Sequence, residues 1–250
     1  MKIKLNISGQ DLKSLPNISP HIQILYCDDN YLTELVNLPL ALEELDCSYN
    51  PLSTLNNLPP ALKVLVCMHT RITCLDNLPP ILKELHFEYN KISSLDNLPP
   101  TMEVLDCNYN LIESLNNLPL TLKKLICHDN KIKTLNNLPP ALELLDCGFN
   151  KITYLDNLPP SLKVLICWHN SLAALNNLPP ALEVLNCSTN QIESLDNLPQ
   201  TLNFLNCEKN KITQLDNIPL TLTELYCYGN PLKYTNRLKN IRKYNKQKNI

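Results

Sequence analysis

Hydrophobic residues return on a fixed twenty-residue beat along almost the whole chain. Leu25, Leu45, Leu65 and their successors to Leu225 keep one place in it without a miss, and Asn30, Asn50, Asn90 and onward to Asn230 keep another, with Thr70 as the exception. A fixed period of this size marks a solenoid, in which one supersecondary unit is stacked on copies of itself. Residues 102–121 show the unit. Leu105 and Cys107 alternate with Asp106 and Asn108, which predicts a short strand with one buried face. Asn110 follows where the chain must turn, and its amide can serve backbone groups that no strand partner reaches. Asn-Asn-Leu-Pro comes next. Proline fixes φ and lacks an N–H, so the return leg is predicted to be extended or polyproline-like. The register reaches back to Leu5, with Gln10 in place of the Asn, and gives about twelve strands.

One coil cannot bury its own apolar face, so each relies on its neighbours and the ends need caps. Leu238, Ile241 and Tyr244 suit a short amphipathic helix over the last coil. The expected fold is a mostly β, α/β-type repeat solenoid. It is a right-handed superhelix with one parallel concave sheet and few or no helices except that cap. Residues 1–232 form the array, and 233–250 form a basic tail.

The motif L-x-x-L-x-L-x-x-N-x-L, with Cys in the third Leu place and Leu-Pro-Pro ahead of the strand, resembles leucine-rich repeats. It is most similar to the short, twenty-residue class in type III secreted effectors of enteric bacteria. Leucine-rich-repeat proteins of large DNA viruses look similar as well. The resemblance spans about residues 3–232 and implies an architecture that binds proteins on its concave face. Effectors of this class can carry a ligase domain after the repeats. Here the chain is expected to stop within about twenty residues of the last coil.

Ten of the eleven cysteines share one repeat position, Cys27 to Cys227, interrupted by Phe87. Side chains in one row on parallel strands stand about 4.8 Å apart. That spacing exceeds the Cβ separation of about 3.8 Å that a disulfide prefers, and a straight row does not converge on zinc. These cysteines are therefore expected to be buried, free and small-hydrophobe-like, which points to a reducing, cytoplasmic compartment, possibly a host's. Cys74 lies off the row and is expected to be accessible. Cys127-His128 cannot act as a nucleophile pair, because adjacent strand residues face opposite sides. With only three glycines there is no phosphate-cradling loop. The chain is read as no enzyme, with no cofactor and no resident metal.

Net charge is −2, but residues 233–250 hold seven basic side chains and no acid, which leaves −9 for the rest. The array should repel nucleic acid and anionic membranes, while the tail could touch either. No stretch reaches the roughly 20 apolar residues of a membrane span, and the N-terminus lacks a signal peptide's apolar stretch.

The outward strand positions vary while the inward ones do not. Val164, Ile166 and Trp168 form an apolar row on one strand, with Phe149, Ile126 and His128 expected nearby and Gly148 leaving room for the indole. Val64, Val66 and Met68 make a smaller patch. An apolar cluster around a lone Trp is a candidate hot spot for a protein partner. The alternative is a nucleic-acid or membrane contact through the basic tail, with the array as scaffold.

Overall fold

A computed structural model of the chain describes residues 2–216, 218–232 and Ile241. These residues form two compact units, 1–130 and 131–250. The first carries strands β1 (Lys4–Asn6), β2 (Ile24–Tyr26), β3 (Glu44–Asp46), β4 (Val64–Val66), β5 (Glu84–His86), β6 (Val104–Asp106) and β7 (Lys124–Ile126). The second carries β8 (Leu144–Asp146), β9 (Val164–Ile166), β10 (Val184–Asn186), β11 (Phe204–Asn206) and β12 (Glu224–Tyr226). Within each unit neighbouring strands pair in parallel with an offset of one repeat, as in Leu85↔Leu105 and Leu165↔Leu185. This is the parallel, strand-stacking repeat that the periodicity predicts and that the resemblance to leucine-rich repeats implies. The tail and most of the proposed cap lie outside the described residues, although Ile241 is helical and fully buried.

Strands of only three residues cannot hold a coil closed by ladder bonds alone, and the repeat Asn supplies the rest. Asn110 shows how. Its Nδ2 donates to the carbonyls of Cys107 and Asn108 in its own coil and to that of Phe87 in the coil before, at 3.0–3.2 Å. Its Oδ1 accepts from the N–H of Ile92, at 3.0 Å. One amide thus satisfies backbone groups on two coils. The same set recurs at Asn130, Asn170 and Asn190. Thr70 offers only a hydroxyl. Its single proton is offered to Asn90 Oδ1 at 2.8 Å, with the Cys67 carbonyl farther off at 3.3 Å, and the adjoining link from Lys91 N–H to Ile72 carbonyl stretches to 3.4 Å, against 2.9 Å at Leu111.

The chain has few glycines, yet each coil needs left-handed backbone twice. Asn37, Asn57, Asn77 and their successors to Asn197 take φ of 54–65°. Asn is the non-glycine residue that tolerates this region best, which explains the second recurring Asn. The residue just before the ladder Asn takes φ near 50° as well, and here Tyr49, His69, Tyr89, Tyr109, Phe149 and His169 do so. The Leu-Pro-Pro leg is more sharply bent than a polyproline segment. Leu62 N–H bonds the carbonyl of Pro59 at 3.2 Å, closing a turn with Pro60 at its corner, where fixed φ suits it. Leu40, Leu120 and Leu220 occupy that corner elsewhere, and all three are exposed.

Hydroxyls add a staple that periodicity does not reveal. Thr101, Thr121, Ser161, Thr201 and Thr221 each place one hydroxyl within hydrogen-bonding distance of two carbonyls of the preceding coil, which share its proton; for Thr121 these are Pro100 and Met102, at 2.8 and 2.7 Å.

Candidate functional site

Strand alternation sorts the side chains. The ten in-register cysteines are buried and free, while Cys74 is exposed. Burial pushes the thiols of Cys27 and Cys187 up to about 12 and those of Cys47, Cys67 and Cys107 well up too. The thiols are more than filler: Cys27 and Cys107 each point Sγ at a carbonyl of the next coil, Asp46 and Ile126, at 3.3 Å. Cys127 is fully buried, whereas His128 turns outward and holds Asp129 Oδ2 through Nδ1 at 2.9 Å. The two therefore make no nucleophile pair.

In the second unit Val164 and Ile166 are half-buried on the outward side of β9, and Trp168 continues the row. The indole lies directly on Gly148; a Cβ there would overlap Trp168 Nε1. Phe149, on its left-handed turn, meets Trp168 edge-on at 5.2 Å and stacks on His169 at 3.9 Å. Trp168, Phe149 and His169 thus form one aromatic cluster beside the apolar row. Ile126 and His128 belong to the first unit and have neighbours of their own there; His128 meets the ring of Tyr109 edge-on at 5.2 Å. Val64, Val66 and Met68 lie together at β4, half-buried, with Met68 N–H bonded to Ser48 Oγ at 3.1 Å.

Two features of the first unit escaped sequence reasoning. The left-handed turn residues form a ladder of rings, with Tyr49 to His69, His69 to Tyr89 and Tyr89 to Tyr109 stacked at 4.7, 4.2 and 4.1 Å. The available signal was the recurrence of aromatics immediately before the ladder Asn. The second feature is a polar cluster. His86 on β5, Glu88 just beyond it and Asp106 on β6 bring ligand-type atoms within 4.8 Å of one another. Burial raises the Glu88 carboxyl to about 7, and the neighbouring charges of Asp106 and Asp46 push the same way, against the pull of its own backbone N–H. Asp106 is raised by burial as well, opposed by the N–H of Asn108 and by His86. Glu88 Oε2 is sealed from solvent without a hydrogen-bond partner.

Charge pairs run along a different column. Lys83 and Lys123 both bind Glu103, at 2.9 and 2.8 Å, and hold its carboxyl down at about 2. Lys63 binds Glu43 at 2.9 Å, and Lys163 binds Glu143 at 2.8 Å. Among the described residues no helix is long and apolar enough to cross a membrane.

No protein-family model matches the chain, and no curated protein does. Solved structures match well. YopM from Yersinia enterocolitica WA-314 superposes with a TM-score of 0.87 at 37 % identity, over 92 % of this chain and 51 % of that one. YopM from Yersinia pestis, a leucine-rich effector protein, gives 0.67 at 29 % identity, over 91 % and 77 %. The functional domain of InlJ from Listeria monocytogenes, which includes a cysteine ladder, gives 0.68 at 27 % identity, over 84 % and 54 %. This chain, which spans about half the length of the first and third of these bacterial proteins, is a leucine-rich-repeat protein built from twenty-residue units.

Proposed function

We propose that the chain binds another protein through the outward side of its strands, with the Trp168 cluster as anchor. The observation that carries this reading is the apolar row Val164–Ile166–Trp168, left half-exposed beside the exposed ring of Phe149. The inward neighbours Leu165 and Cys167 are fully buried without it, so packing of the core gives no reason for an indole on this side. A large ring seated rigidly on a glycine loses little freedom when a partner covers it. The patch at Val64, Val66 and Met68, and Ile126 with His128, provide further contact points on the first unit. The similarity to an effector protein agrees with a role in binding proteins rather than in catalysis. Ten buried thiols left free suit a reducing, cytoplasmic setting, including that of a host cell.

The test is capture of partners by the full chain and by Trp168→Ala, with melting measured on both. A partner held by the wild type should bind the variant at least about thirtyfold more weakly, as at an interface hot spot. Equal retention by the variant removes this cluster. Binding that vanishes only on deletion of residues 233–250 moves the function to the basic tail and to nucleic acid or anionic lipid.

A further inference from the structure

We infer that His86, Glu88 and Asp106 form a binding site for one divalent first-row transition-metal ion, zinc being the natural probe, on the outward side of the first unit. Three observations carry this. The first is placement. β5 and β6 pair with His86 opposite Asp106, about 4.8 Å apart as neighbouring parallel strands are. Glu88 lies two residues beyond His86 and therefore projects from the same side. The result is a triangle of donors held by backbone that the Asn ladder fixes on both coils: Asn90 bonds the carbonyls of Phe87 and Glu88, and Asn110 those of Cys107 and Asn108.

The second is distance. One ligand atom from each of the three side chains lies within 4.8 Å of the others. Bonds of about 2.0–2.2 Å to zinc need donors somewhat closer than that, a gap that small side-chain rotations can close. The third is the sealed oxygen of Glu88. A carboxylate oxygen removed from water with no donor is costly, and the carboxyl nearest to it repels it when both are ionised. A cation between the two relieves both penalties.

The donor set selects the class of ion. One imidazole with two carboxylates suits zinc, manganese or iron better than magnesium or calcium, which prefer oxygen alone. All three side chains are half-buried on a solvent-facing surface, so water would complete the coordination. This site shares no residue with the Trp168 cluster, and the two proposals stand or fall separately.

The test is calorimetric titration of the full chain with Zn2+, and with Mg2+ as control, in a Cys74→Ser background that removes the exposed thiol. One equivalent of Zn2+ should bind, with little response to Mg2+. Glu88→Gln, which keeps the shape, should weaken Zn2+ at least about 100-fold, the upper end of what loss of even an outer-shell partner costs; His86→Ala should do the same. Co2+ should give a visible d–d spectrum without a thiolate charge-transfer band. Absence of one-equivalent binding, equal affinity in Glu88→Gln, or a thiolate band would each overturn the site; the first leaves a carboxyl pair that holds only a proton.

Discussion

On β5 and β6 of the first unit and just beyond β5 the outward positions hold His86, Asp106 and Glu88; on β9 of the second and just beyond it they hold Val164, Ile166 and Trp168. Behind both stand the same kinds of inward residue: Leu85 and Phe87, Leu105 and Cys107, Leu165 and Cys167, all fully buried. Backbone, register and core agree, yet one surface is a knot of titrating groups and the other an apolar shelf. The comparison teaches that the frame leaves the outward column unspecified. The packing of the core does not dictate the chemistry written there.

That independence can be broken at the frame. Asn110→Ala leaves carbonyls of two coils and the N–H of Ile92 short of a partner, at about 1–3 kcal/mol for each buried group left unsatisfied. A loss of about 3 kcal/mol in denaturant unfolding is expected; a loss under about 1 kcal/mol would mean that the ladder is ornamental. Gly148→Ala attacks only the apolar shelf. Its Cβ would overlap the indole, so a cost of about 1–3 kcal/mol, typical of overpacking, should come with a changed emission spectrum from the single Trp. Unchanged emission would unseat Trp168 from Gly148.

Thr70→Asn should act in the opposite direction. It restores the missing rung and is expected to add about 1 kcal/mol, the worth of an ordinary buried hydrogen bond, visible as a raised melting temperature. The smallest effect separates the two surfaces by pH. Because the folded carboxyl of Glu88 is raised from 4.5 to about 7, the folded state binds the extra proton. Its contribution is full below pH 4.5 and is lost as pH rises through about 7. Solvent screening at this half-exposed group keeps it modest. Glu88→Gln should flatten that window, whereas Trp168→Ala should leave it unchanged; a window surviving in Glu88→Gln would assign it elsewhere.

Much of the frame was legible because burial repeats with the strand. Leu105, Cys107 and Asn110 declare their roles through alternation and position, and the free, buried state of the cysteine row follows from the strand spacing. What escaped was whatever depends on backbone conformation or on neighbours twenty residues away. Asn77 and Asn97 recur visibly, but a hydrophobic pattern carries no sign of positive φ. Tyr89 and Tyr109 look like scattered aromatics until the left-handed turn aligns their rings. His86, Glu88 and Asp106 are near enough in sequence to be seen together, yet search for chemistry is drawn to the cysteines, which burial silences. The Trp168 row is legible because its residues alternate along one short stretch and share one side.

The Asn ladder also has a direction in time. Asn50 bonds the Cys27 carbonyl and accepts from Leu32 N–H, both in the coil made before it. A coil leaving the ribosome is therefore unfinished until the next one emerges and docks. The growing chain carries a single open seam that travels toward the C-terminus at the pace of synthesis. Thr70, which offers a hydroxyl where the other rungs offer an amide, is where that seam closes least well.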